Sequence, residues 1–142
     1  MRISRFIGLD RADKSLLLRA VGSLAIARLM MLTMSFRQLA ERLSATENPE
    51  QRLTDDDVLS RVGWAVAAAA NNVPWRSDCF PQTIAASKLL RRNGIGSTIH
   101  LGVEHVGDDD LAGHAWLTCD GELVTGRGVD LGRYTELHRF KT

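Results

Sequence analysis

The chain has 142 residues, of which 44% are hydrophobic and 25% charged, and its formal net charge is +1. This composition is typical of one soluble globular domain, and it excludes a disordered chain or a small disulfide scaffold. A net charge near zero gives no bulk attraction for a polyanion, so nucleic acid is not an expected partner. The two cysteines have no repeated spacing and no cleavable signal sequence is recognisable, which indicates free thiols in a cytoplasmic protein.

The amino-terminal third is predicted to be helical. Apolar residues recur at three- and four-residue steps between residues 12 and 43, as they do on an amphipathic helix. Ser35 is placed to cap a second, shorter helix that ends near Arg42. The polar residues 44–52, which include Pro49, predict a surface linker after it.

Residues 15–32 are apolar enough to resemble a membrane span. Arg19 and Arg28 lie well inside this segment, and an arginine costs roughly 2.5–3.5 kcal/mol at the centre of a bilayer. We therefore expect a helix that is buried within protein, and no membrane span.

Two further helices are predicted in the middle of the chain. Thr54, with three aspartates behind it, is a typical helix start, and the helix that follows is expected to end near Asn71. In the next helix Pro81 suits the first turn and Gly94 suits the position after the last turn. This prediction places Cys79 at the start of a helix.

After residue 96 the apolar pattern changes to the alternation of strands. STIHLGV, HAWLTC and ELV are predicted strands, separated by the acidic loop GDDDLAG and by the tight turn Asp120-Gly121. A closing edge strand is predicted within residues 133–140. The predicted fold class is α+β, in which an amino-terminal helical segment (1–53) packs on a core (54–142) to form one compact domain.

Cys79 and His114 are the candidate catalytic pair. A thiol at a helix amino terminus is surrounded by unpaired N–H groups that favour the thiolate and can also bind an oxyanion. His114 is predicted to open the strand HAWLTC, from which its imidazole can reach the helix start as a base. The alternatives are a small buried cysteine and a structural histidine.

Three more residues are candidates for binding substrate, and none is a candidate metal ligand. Trp116 shares a strand face with His114 and would either wall a cleft or fill the core, while Trp75 flanks the nucleophile. Gln82, near the helix start, would either donate to an oxyanion or face solvent. The histidines and Cys119 show no established metal-site spacing, so we expect neither a metal nor a cofactor.

Three stretches of the sequence together resemble a known family. They are PWRSDCFPQTIAASKLLRRNGI, HLGV and GHAWLTCDGELVTG, which lie within residues 74–126. The combination is similar to the lasso peptide leader peptidases, bacterial maturation proteases of the transglutaminase-like superfamily. The resemblance is close from Pro74 onward and looser in the helical amino-terminal half.

This resemblance implies a transglutaminase-like, papain-like fold, a specific peptidase activity and specific partners. The enzyme would be a Cys-His peptidase that removes the leader from a ribosomally made lasso precursor peptide, after which a separate lasso cyclase closes the ring. A small leader-recognition protein would be a further partner. The alternatives are acyl transfer to an amine, peptidase action on a different peptide natural product, and a non-catalytic peptide-binding module of the same fold.

The sequence departs from the family pattern at one catalytic position. The family has a triad aspartate about twelve residues after the histidine, where this chain has Gly126. Asp120 is a poor substitute, because six residues of strand put it about 20 Å from His114. Asp130 is a weak candidate for the third member, and a backbone carbonyl or a residue from another element could orient the histidine equally well.

Overall fold

The protein is described by a computed structural model in which residues 7–44, 56–126 and 130–142 are placed. Its regular elements, in chain order, are α1 (Arg11–Thr33), α2 (Phe36–Ser44), α3 (Asp56–Ala70), α4 (Cys79–Arg92), β1 (Thr98–Val106), β2 (Asp110–Cys119), β3 (Glu122–Thr125), a 3-10 turn (Leu131–Arg133) and β4 (Thr135–Lys141). These elements confirm the predicted α+β class.

The first two helices begin at side chains that satisfy the free N–H groups of their first turns. Asp10 accepts a hydrogen bond from the backbone N–H of Asp13 at 2.7 Å. Ser35 Oγ accepts from the N–H of Gln38, and Gln38 Oε1 accepts from the N–H of Ser35, at 3.3 and 3.0 Å. This reciprocal pair is a capping box, so the Ser35 cap is confirmed. The predicted Thr54 cap and, apart from Ser44, the predicted linker lie outside the described residues.

Helix α1 is buried on one face only. Leu17 and Leu24 are 5% and 0% exposed, whereas Leu18, Leu29 and Leu32 are 62%, 60% and 69% exposed. The expectation of a helix buried within protein is therefore wrong for the face that carries Leu18, Leu29 and Leu32, which is exposed. Among the described residues α1 is long and apolar enough to cross a membrane, a test that core helices of soluble proteins also pass.

The four strands form one antiparallel sheet in the order β3-β2-β1-β4. The turn between β2 and β3 has positive φ at both Asp120 (49°) and Gly121 (81°), as a tight two-residue hairpin requires. Strands β1 and β2 pair as far as Val106 and Asp110. The predicted loop GDDDLAG is therefore too long, because most of it is strand, and His114 lies inside β2 instead of opening it.

One hydrophobic core connects the helices with the sheet. It contains Leu24 of α1, Val66 of α3, Leu90 of α4, Leu117 of β2 and Phe140 of β4, each at most 3% exposed. Helix α4 packs against α1, α3 and β2. Its start is thereby held beside the sheet, which is where the candidate catalytic residues lie.

Candidate active site

Cys79 is the first residue of α4 and has a half-exposed free thiol. The preceding Asp78 is the N-cap residue, but its carboxylate makes no capping hydrogen bond and instead pairs with Arg76 at 3.2 Å. The first N–H groups of a helix have no partner within the helix. Because Asp78 does not occupy them, they can bind the oxyanion that forms on a carbonyl oxygen when the Cys79 sulfur attacks its carbon.

His114 is held by aromatic rings. Its ring centroid lies 6.0 Å from that of Trp116, nearly parallel to it, and 5.2 Å from that of Tyr134. Burial lowers the pKa of His114 below its usual value of 6.5. The imidazole is therefore neutral at pH 7, which is the form that accepts a proton from a thiol.

Tyr134 packs against His114, and its pKa is also affected by the charge of Cys79. The pKa of Tyr134 is raised first by burial and then by the charge of Glu104 and its hydrogen bond; the charge of Arg133 lowers it, and the charge of Cys79 raises it more weakly. Within the described residues no hydrogen bond joins the Cys79 sulfur to His114. Such catalytic hydrogen bonds are often long in the absence of substrate and tighten when it binds.

Two threonines that the sequence analysis missed fix the start of α4 to the sheet. Thr83 Oγ1 donates to the backbone carbonyl of Cys79 at 2.8 Å, and Thr125 Oγ1 lies 3.1 Å from Thr83 Oγ1. A hydroxyl has one proton, so Thr125 must donate to Thr83 while Thr83 donates to Cys79. Both threonines are buried. Their only sequence signal is a hydroxyl at an otherwise apolar helix or strand position.

The nitrogen that a triad aspartate would orient is Nε2 of His114. It is fully buried and has no hydrogen-bond partner among the residues that the structure describes. Gly126 lies close to this nitrogen, since a Cβ added at Gly126 would lie 3.5 Å from Nε2 and 2.8 Å from the Cβ of Trp116. The φ of Gly126 is +92°, a left-handed conformation that favours glycine. Gly126 thus lies beside the histidine, as the family pattern implies, but leaves no room there for a side chain.

Neither nearby aspartate reaches His114. Asp130 Oδ1 accepts from the N–H of Gly132 at 3.1 Å and caps the 3-10 turn, and no hydrogen bond joins it to the histidine. Asp120 is exposed in the β2–β3 turn, as expected from the distance along the strand. Across the placed residues, no three side chains of histidine, cysteine, aspartate or glutamate converge as ligands of a metal ion.

The three candidate substrate-binding residues lie in different surroundings. Trp116 is 7% exposed and stacks between His100 and His114, so it fills the sheet face instead of walling an open cleft. Gln82 donates from Nε2 to the carbonyl of Ser77 at 2.8 Å, and it thereby ties down the loop before Cys79. Trp75 is half-buried against the core, and its buried indole N–H has no acceptor among the described residues.

A cavity of about 230 Å³ opens between α3 and β3, beside Gly126. It is lined by Ser60, Gly63, Trp64, Ala67, Val124, Thr125 and Gly126. Trp64 is 40% exposed there and was not singled out from the sequence. Since Gly126, which lines the cavity, lies beside His114, this cavity is the candidate place for a substrate side chain. A larger cavity, of about 310 Å³, includes Asn93 at the opposite end of α4 and is not part of this site.

Comparison with known proteins assigns the chain to a family. The family model of the transglutaminase-like superfamily matches residues 23–139, which contain Cys79, His114 and Tyr134. No curated protein and no solved structure gives a significant match. This superfamily includes both cysteine peptidases and acyltransferases. The match covers more than half of the chain and agrees with its α+β architecture, and the protein therefore belongs to the transglutaminase-like superfamily.

Proposed function

We propose that this protein is a cysteine peptidase that cleaves the leader from a lasso precursor peptide before macrocyclisation. The observation that carries the peptidase chemistry is the position of Cys79 on the uncapped first turn of α4. It is supported by the packing of His114 on Tyr134, whose pKa is raised in part by the charge of Cys79. The lasso precursor as substrate is supported by the three sequence stretches described above. A leader-recognition protein and a lasso cyclase are the proposed partners, and the proposed location is the cytoplasm.

The burial of Nε2 determines which nitrogen of His114 acts. Because Nε2 is covered, Nδ1 is the nitrogen that can take the thiol proton. A neutral imidazole that accepts at Nδ1 carries its own proton on Nε2. The required tautomer therefore buries an N–H close to Gly126, and this N–H has no acceptor among the described residues. Packing between Trp116 and Tyr134 takes over the orienting role that an aspartate has in other Cys-His enzymes.

The reaction proceeds through an acyl enzyme. Nδ1 of His114 takes the proton from Cys79 as the sulfur bonds to the scissile carbonyl carbon, and the oxyanion binds the N–H groups at the start of α4. The C–N bond then breaks, and the leaving amine takes the proton from Nδ1. Water, deprotonated by the same nitrogen, attacks the thioester, which releases the leader as a carboxylic acid and restores the thiol.

The test is leader release by the purified protein with its precursor peptide and leader-recognition protein, followed by mass spectrometry. Wild type should release the leader, whereas Cys79→Ala and His114→Ala should not. Cys119→Ala is the matched control, because its buried thiol bonds to the carbonyl of Gly96 and lies outside the site. Release by Cys79→Ala equal to that by wild type would contradict the assigned nucleophile.

The same assay separates the alternatives. A leader product joined to an added amine, in place of the free acid, would indicate acyl transfer, because water and amines attack the same thioester. No cleavage with every partner present, combined with tight binding of the precursor, would indicate a peptide-binding module.

A further inference from the structure

The HLGV stretch places two residues beside the proposed catalytic histidine. In the antiparallel register of β1 and β2, His100 lies opposite Trp116 and Gly102 lies opposite His114. Directly opposed residues of paired strands project from the same face of a sheet. His100 and Gly102 therefore share a face of the sheet with His114 and with the indole against which it packs.

The rings of His100, Trp116 and His114 form one continuous stack. The ring centroids of His100 and Trp116 are 5.3 Å apart, and the two planes differ by 3°. The centroids of Trp116 and His114 are 6.0 Å apart, with planes that differ by 20°. Stacked aromatic pairs attract each other at centroid separations of about 4.5–7 Å. Trp116 therefore packs against two imidazoles, of which only His114 has a role in the proposed reaction.

The indole of Trp116 lies against a glycine at each of its ends. A Cβ added at Gly102 would lie 3.0 Å from Cη2 and Cζ3, at the far end of the indole. At the near end, a Cβ added at Gly126 would lie 2.8 Å from the Cβ of Trp116. Both ends of this side chain therefore rest on backbone, and the face of the ring is covered by His100.

His100 is held by hydrogen bonds at both ring nitrogens. Nδ1 lies 3.0 Å from Oε1 of Glu136, and Nε2 lies 2.8 Å from Oγ1 of Thr118. Only 12% of the His100 side chain is exposed. A ring that is bonded at both nitrogens cannot rotate without breaking both bonds, so the plane of the His100 imidazole is fixed.

Glu136 supports His100 in either charge state of the imidazole. Arg139 donates to both oxygens of this carboxylate, from Nε at 2.8 Å and from Nη2 at 3.1 Å. These bonds lower the pKa of Glu136, so the carboxylate is ionised at pH 7 and only accepts hydrogen bonds. Nδ1 of His100 therefore carries a proton. The hydroxyl of Thr118 can donate to a neutral Nε2 or accept from a protonated one, so both bonds persist in either state.

We propose that His100 is a positioning residue: it holds the indole of Trp116, and the indole in turn orients the imidazole of His114. The oriented imidazole is the group that exchanges a proton with Cys79, so this inference rests on the proposed function. A catalytic group that is misplaced by about 1 Å can cost a factor of about 10² in rate. His100 should therefore affect kcat without contacting the substrate and should leave KM unchanged.

Substitutions of His100 separate this role from substrate binding. His100→Ala removes the ring from the face of Trp116 and should lower kcat for leader release about tenfold, with KM changed less than about twofold. His100→Phe restores a ring to the stack, and its kcat should lie within about threefold of wild type. The matched control is His138→Ala, since His138 is an exposed histidine of β4 whose ring lies against Phe140. It should leave both constants within about twofold of wild type.

A second measurement needs no substrate and keeps failure of this proposal apart from failure of the proposed function. With Cys119→Ala as the parent protein, alkylation of Cys79 by iodoacetamide at about pH 6 is followed by intact-protein mass spectrometry. His114→Phe should slow alkylation about tenfold, and His100→Ala should slow it about fivefold. A melting curve recorded by circular dichroism checks that each variant is folded at the temperature of the assay.

Three results would overturn this proposal alone. The first is slower alkylation in His114→Phe with an unchanged rate in His100→Ala, which would leave His114 as the base and remove His100 from its support. The second is a raised KM with an unchanged kcat in His100→Ala, which would make His100 a substrate-binding residue. The third is a kcat in His100→Phe as low as that in His100→Ala, which would show that the ring has no role. If neither variant slows alkylation, the proposed base fails and the positioning role fails with it.

Discussion

The proposed nucleophile, Cys79, and the proposed base, His114, are held in different ways. Cys79 is fixed by hydrogen bonds that run from its carbonyl through Thr83 to Thr125 of the sheet. His114 makes no hydrogen bond among the described residues and is held by the rings of Trp116 and Tyr134. In the proposed catalytic pair, Cys79 is thus positioned by hydrogen bonds and His114 by packing. We therefore expect substitutions around the two residues to have different effects.

The largest effect is expected from Gly126→Asp, the substitution that would supply the missing triad aspartate. The new Cβ would lie 2.8 Å from the Cβ of Trp116, on backbone with a φ of +92°. Strain and overpacking together should lower the free energy of unfolding by about 3 kcal/mol or more, measured by urea denaturation.

Gly94→Ala is the matched control for that substitution. Gly94 has a φ of +72° with nothing within 4 Å of an added Cβ, so only the backbone cost of about 1 kcal/mol applies. Equal destabilisation by the two variants would contradict the close contact between Gly126 and Trp116.

Thr83→Val should remove the hydrogen bonds that hold Cys79. It leaves the buried hydroxyl of Thr125 without its acceptor, at a cost of about 1–3 kcal/mol in unfolding free energy. The double variant Thr83→Val with Thr125→Val removes both partners and should recover part of that loss. Simple additivity of the two single substitutions would show that the threonines are not coupled.

Tyr134→Ala should remove part of the aromatic packing that holds His114. Loss of one aromatic contact to His114 is worth about 0.5–1.5 kcal/mol, so kcat/KM for leader release should fall about tenfold. Tyr134→Phe keeps the ring and should stay close to wild type. If Tyr134→Phe falls as far as Tyr134→Ala, the hydroxyl and its bond to Glu104 matter more than the packing.

The smallest expected effect is a pH dependence of stability. The folded-state pKa of His114 lies below its unfolded value of 6.5, so the unfolded chain binds more protons as pH falls below that value. The contribution of His114 is complete above about pH 6.5 and is lost as pH falls through the lowered folded pKa. Urea denaturation at pH 7 and pH 5 should show a larger loss for wild type than for His114→Phe. His105→Gln, at an exposed position, should follow wild type.

The local parts of this site were predictable from sequence and the long-range parts were not. Cys79 at a helix start followed from Pro81 and Gly94, which act within their own helix. The length of β2, and with it the position of His114 inside the strand, depends on pairing with β1. The bond between Thr83 and Thr125 joins residues 42 positions apart, and no pattern in either segment predicts it.

The sequence shows the departure from the family pattern at Gly126, but its structural consequence depends on the fold. The sequence shows a glycine where the family has an aspartate. The backbone conformation, the contact with Trp116 and the buried Nε2 of His114 all depend on tertiary packing.

The central claim is that His114 deprotonates Cys79. The most direct test is the rate at which iodoacetamide alkylates Cys79, followed by intact-protein mass spectrometry with Cys119→Ala as the parent protein. At about pH 6, where a free thiol is almost fully protonated, alkylation of the parent should exceed that of its His114→Phe derivative about tenfold. Equal rates in the two proteins would show that the imidazole does not act on the thiol and would contradict the account.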